Sequence, residues 1–143
     1  MVKQYSMFAL AGAIPFVAAA FAVLFGVDTA GPVQSVIAAL LSYGLVIVSF
    51  VAGSHWGIYL QNDASAPVNL FITGNVLVLV PWLAFVLGSI NSTLLALIMA
   101  FAFLLVIDWR LLTSGLIDKA YFRLRAIATL FVCSALLTVV LAR

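Results

Sequence analysis

Residues 33–60 read VQSVIAALLSYGLVIVSFVAGSHWGIYL, an unbroken stretch without a single formally charged side chain. Coiled as an α-helix at about 1.5 Å per residue, it is longer than the roughly 30 Å hydrocarbon core of a bilayer. A helix apolar all round cannot lie on the surface of a soluble domain, because it has no face for water. The stretch is therefore a membrane span that tilts or projects beyond the lipid. It also holds the only histidine of the chain, His55, within Ser49-Phe50-Val51-Ala52-Gly53-Ser54-His55-Trp56-Gly57. A polar side chain inside a span is costly enough to require a partner or a task.

The rest of the chain agrees. Of 143 residues, 67% are hydrophobic and 7% charged, so no second, soluble domain is hidden in it. Net charge is +2 with no glutamate, too few basic groups for a nucleic-acid surface, so no nucleic-acid partner is expected. Cys133 stands alone in an apolar run and reads as a small buried hydrophobe.

Outward from the second span, four more apolar runs predict an all-α integral membrane bundle of five transmembrane helices in one domain, residues 1–143. The spans fall at about 6–25, 33–60, 68–88, 93–112 and 121–141. Gly26-Val27-Asp28-Thr29-Ala30-Gly31-Pro32 and Gln61-Asn62-Asp63-Ala64-Ser65-Ala66-Pro67 are turn-rich connectors. Lys3 and Ala18-Ala19-Ala20 imitate a cleavable leader, but the apolar run continues through Phe25, which predicts a retained first span. Short connectors favour antiparallel neighbours. With the N-terminus inside and the C-terminus outside, Lys3, Arg110, Lys119, Arg123 and Arg125 all face the cytoplasm or an organelle matrix, and Arg143 alone falls outside. Tyr5, Trp56, Tyr59, Trp109 and Tyr121 then sit at inner ends, where such rings anchor.

That topology brings polar residues to one depth. His55 and Asp108 lie near the inner ends of the second and fourth spans, Arg123 and Arg125 open the fifth, and Asn69, Thr73 and Asn75 open the third. Residues i and i+2 cannot share a helix face, so Arg123 and Arg125 should diverge, one inward and one to lipid headgroups, and Asp108 and Arg110 likewise. Three roles are open to Asp108: meeting water at the interface, fixing helices through a buried ion pair, or serving a binding site. The cluster expected to be structural or ligand-binding is His55, Asp108, Arg123, Arg125 and Asn75. Ser49, Gly53 and Gly57 recur every four residues, the small-xxx-small spacing that lets helices touch; packing on a neighbouring span is expected, with a homo-oligomer as the alternative. Pro15 and Pro81 each remove a helical hydrogen bond, and Gly74-Asn75 with Pro81-Trp82 mark the third span as the most irregular.

One histidine, one cysteine and no glutamate cannot build an ordinary zinc, di-iron or iron–sulfur site in one chain, so neither metal nor cofactor is expected. No Gly-x-Ser-x-Gly elbow or phosphate loop occurs. Catalysis by His55 as acid or base, oriented by Asp108, is conceivable and rests on their inferred proximity.

Gly12-Ala13-Ile14-Pro15-Phe16, Tyr43, the Ser49–Gly57 segment, Pro81, Asp108, Tyr121-Phe122-Arg123-Leu124-Arg125 and Thr129 together carry a resemblance covering nearly the whole chain. The chain resembles domain-of-unknown-function family 3429, the family of mitochondrial transmembrane protein 69. The resemblance implies a multi-pass protein of the bacterial inner membrane or the mitochondrial inner membrane, and no established reaction. The leading functional expectation is a non-enzymatic accessory or assembly subunit of a larger membrane complex, its partners the lipid bilayer and a membrane protein or a second copy. The alternative is a small transporter or a module that binds a proton, quinone or lipid through the inner-side His/Asp/Arg cluster.

Overall fold

A computed structural model describes residues 10–26 and 35–142. Among the described residues, five helices follow one another: α1 (Ile14–Leu24), α2 (Val36–Asn62), α3 (Leu70–Leu87), α4 (Ile90–Thr113) and α5 (Lys119–Ala142). The last four are long and apolar enough to cross a membrane, and α1 is a shorter apolar helix. Lys3, Tyr5, the start of the expected first span, most of the Gly26–Pro32 connector and Arg143 lie outside the described residues.

Side-chain caps set the boundaries. The Ser35 hydroxyl accepts from the Ala38 amide at the start of α2, and the Asn69 carboxamide accepts from Phe71 and Ile72 at the start of α3. Ser89 and Ser92 form a reciprocal capping box. That box starts α4 at Ile90, three residues before the expected Thr93, because it satisfies amides that would otherwise be bare in lipid. Asp118 accepts from the Tyr121 amide and so begins α5.

The helices form a ring in chain order, α5 closing on α1, with α2 and α4 also touching across it. Phe16 is fully buried and packs against Tyr43 of α2 and Phe101 of α4. Around it gathers the main core, including Leu40, Val48, Leu97, Leu104 and Leu136. A smaller apolar cluster of Leu70, Ile107 and Leu111 lies toward the end of the bundle that carries the 63–69 and 114–118 connectors. Outward faces stay apolar, as lipid requires: Phe50, Leu60, Leu87 and Leu141 are each at least 70% exposed.

The prolines behave differently from one another. Residues 12–13 interrupt the helix just before Pro15, and the Tyr43 hydroxyl donates to the Gly12 carbonyl, holding α1 on α2 at the break. Pro81, by contrast, lies buried within a helix assigned without interruption from Leu70 to Leu87, so α3 is not the broken span.

The expected packing stripe is corrected. Ser49, Gly53 and Gly57 lie on the exposed face of α2, and a Cβ at Gly53 or Gly57 would meet nothing within 4 Å. Close approach comes from other glycines: a Cβ on Gly44 would stand 2.8 Å from Leu97, and one on Gly74 would stand 3.1 Å from the Trp56 indole. The inward direction of α2 is fixed by His55 and its large apolar residues, and the small stripe falls opposite them.

Candidate functional site

His55 lies about two helical turns before the end of α2, between buried Val51 and Ala52 on one side and Ile58 and Tyr59 on the other. Asp108 occupies the same level of α4, between Leu104 of the main core and Leu111 of the smaller cluster. Both are 1% exposed. The two apolar clusters thus enclose a polar layer, and the two side chains meet within it. His55 Nε2 lies 2.8 Å from Asp108 Oδ1, and Arg125 Nε donates to Asp108 Oδ2 at 3.0 Å from α5. One carboxylate therefore joins three helices.

Arg125 reaches this carboxylate because its position on α5 faces inward; its side chain is 13% exposed. Arg123, two residues earlier, is exposed on the opposite side. Asp108 and Arg110 diverge in the same way, Arg110 being exposed. Both divergences follow from the roughly 200° that separates i and i+2 around a helix.

The carboxylate has no proton to donate while Arg125 holds it as an ion pair, so His55 Nε2 must carry the hydrogen they share. His55 Nδ1 faces no partner, nor do Arg125 Nη2 and Thr129 Oγ1, and all three atoms are buried. Thr129 stands one turn beyond Arg125 on the same face of α5, and Tyr121 one turn before it. The Tyr121 hydroxyl interacts with that of Ser54 and is close enough to Asp108 and Arg125 to feel both charges. Ser54 in turn donates to the Val51 carbonyl at 2.7 Å. Tyr121 and Ser54 thus join α5 to α2 beside the triad.

Of the cluster expected from sequence, His55, Asp108 and Arg125 converge. Arg123 and Asn75 do not: Arg123 points outward, and Asn75 is exposed on α3, turned away by the burial of Gly74 beside Trp56. Asn69 serves as the α3 cap, and the Thr73 hydroxyl donates to the Asn69 carbonyl. Thr129, Tyr121 and Ser54 belong to the site and were not assigned to it by sequence reasoning. The signal for Tyr121 and Thr129 was the i, i+4, i+8 spacing they share with Arg125, which puts all three on one face; Ser54 had no such signal.

A family model described as "Protein of unknown function (DUF3429)" matches residues 1–141, and the chain belongs to that family. Comparison with curated proteins and with solved structures gives no match.

Proposed function

We propose that this DUF3429 member is a membrane-embedded binding module whose centre is the Asp108 triad. The observation that carries the reading is the set of three buried polar atoms without partners around one fully engaged carboxylate. Buried polar groups are almost always hydrogen-bonded, and leaving one bare costs about 1–3 kcal/mol. A triad that served only to fasten helices would be cheapest with every member paired, since a half-satisfied network is worse than an apolar one. A guest that completes the network accounts for the expense.

Thr129→Val separates binding from packing. The change removes a hydroxyl that bonds nothing, keeps the shape, and should leave thermal stability unchanged or slightly raised. Native mass analysis of the protein released from mild detergent should show a small molecule on the wild type and its loss from the variant. Wild-type protein that emerges bare would end the binding reading.

The outward stripe of Ser49, Gly53 and Gly57 supports a second reading, an accessory subunit docked through α2. Gly53→Leu meets no neighbour within the chain, so it should leave the fold intact while releasing the chain from a larger complex on native gels. Unaltered migration of the variant, or a wild type that migrates alone, would rule this reading out.

A further inference from the structure

We infer that the outer faces of α4 and α5 form a docking site for an anionic phospholipid, its headgroup held by Arg110, Lys119 and Arg123. The site stands apart from the triad, which lies inside the bundle, and does not depend on what the triad binds.

Three cations at this end of the bundle have no counter-charge in the chain. Arg110, Lys119 and Arg123 are all exposed, and among the described residues none of their side chains makes a hydrogen bond or an ion pair. The nearby carboxylates do not answer them. Asp108 is buried and holds Arg125, Asp118 accepts from the Tyr121 amide, and Asp63, at the end of α2, forms no salt bridge. Helix dipoles explain only one of the three. Arg110 lies in the last turn of α4, where the dipole favours a cation. Lys119 and Arg123 stand at the N-terminal end of α5, where it opposes one. An anion from outside the chain offsets that repulsion.

Depth and surroundings define that anion. Arg110 lies about one turn before the end of α4, and Arg123 about one turn after the start of α5. The two helices pack side by side and are joined by the 114–118 connector, so both arginines branch from one level. Trp109, next to Arg110 and 52% exposed, adds an indole N–H that bonds nothing among the described residues. Further into the membrane each face turns apolar at the same spacing. Arg123 is followed four and seven residues on by exposed Ile127 and Leu130, and Arg110 is preceded at the same intervals by exposed Val106 and Phe103. Each helix therefore presents a basic head over an apolar track. A free phosphate or an acidic peptide matches the heads alone. A phospholipid matches both, with its phosphate at the arginines and its acyl chains along the tracks. A zwitterionic headgroup brings its own ammonium to a surface of three cations, so the headgroup selected carries net negative charge.

The test is native mass spectrometry of the full chain, reconstituted in vesicles of equal phosphatidylglycerol and phosphatidylcholine and released in mild detergent with its retained lipids. Phosphatidylglycerol should be retained over phosphatidylcholine by at least about tenfold. Arg110→Gln and Arg123→Gln should each lower that preference about fivefold, the share of one basic contact at a membrane surface. Arg123→Lys should keep most of it. Both arginines are exposed and unpartnered, so thermal unfolding of these variants should stay at the wild-type midpoint. Arg143→Gln removes the same charge just past the last residue of α5 and should leave the preference intact. Thr129→Val, inside the bundle, should also leave it intact, which separates this lipid from any guest of the triad.

Equal retention of the two lipids would overturn the inference. So would a preference that survives loss of both arginines. A preference that Arg143→Gln lowers as far as Arg123→Gln does would overturn it too, because it would report net charge and not a site on α4 and α5.

Discussion

Asp108 gives one carboxylate oxygen to His55 and the other to Arg125, so its removal exposes two partners at once. Breaking a buried pair leaves an uncompensated charge, whereas deleting both charges together is often neutral. Asp108→Asn should therefore destabilise the protein by about 3–5 kcal/mol, and Asp108→Asn combined with Arg125→Met by clearly less than the single change. The check is a double-mutant cycle of unfolding in detergent; additive losses would mean that the pair does not act as a unit. The convergence of His55, Asp108 and Arg125 was legible because each lies a fixed number of turns from a span end, and alternating spans convert that number into depth. Thr129 was not legible as a site residue. Its spacing from Arg125 put it on the right face, but a threonine in a helix ordinarily bonds its own backbone, as Thr73, Thr93 and Thr138 do here, so the spacing did not show that its hydroxyl is left over. Asn75 failed for a related reason: depth was read correctly, but the helix face was left undecided until Gly74 met Trp56.

Helix pairing follows from which residues let backbones approach. A spacing of small residues says that approach is sterically possible, not that it happens, and α2 carries such residues on two faces. Gly44 faces Leu97 within the bundle, while Ser49, Gly53 and Gly57 face outward. The same substitution should then have opposite consequences on neighbouring elements. Gly74→Leu drives a large side chain into Trp56, which also packs at a tilt against Phe71, and should cost at least about 1–3 kcal/mol. Gly53→Leu has open space and should stay within about 0.5 kcal/mol of wild type. Thermal unfolding of both variants as isolated protein tests the pair, and equal losses would contradict the assigned faces of α2. The junction of α1 and α2 is a second case. Pro15 accompanies the break at residues 12–13, and Tyr43 binds the Gly12 carbonyl at 2.9 Å. Tyr43→Phe keeps the ring contact with Phe16 and removes only the hydrogen bond, so a loss of about 0.5–1.5 kcal/mol is expected. Hydrogen exchange should show that loss concentrated in α1 rather than spread through α4 and α5.

At the scale of the molecule, four spans and the shorter α1 close into a ring with basic groups gathered at one end. Arg110, Lys119 and Arg123 are exposed near the 114–118 connector, while the 88–89 connector between α3 and α4 carries no charge at all. Length and apolarity made the four spans legible, because a bilayer imposes one thickness on all of them. The extent of α1 was less so, since a proline shortens a helix without making the sequence less apolar. The asymmetry of basic residues predicts that the Asp108 end faces the cytoplasm or matrix, because Lys and Arg near span ends are retained on that side. Two exposed positions report on it: Ser114 beside the basic cluster and Ile90 at the opposite end of α4. In a Cys133→Ala background, Ile90→Cys should react with a membrane-impermeant maleimide on intact cells, and Ser114→Cys only after the membrane is opened. The reverse pattern would turn the molecule over and place the triad nearest the other leaflet. A guest carried by the bilayer would then enter from that leaflet, so the labelling result also decides the side on which the triad's ligand is to be sought.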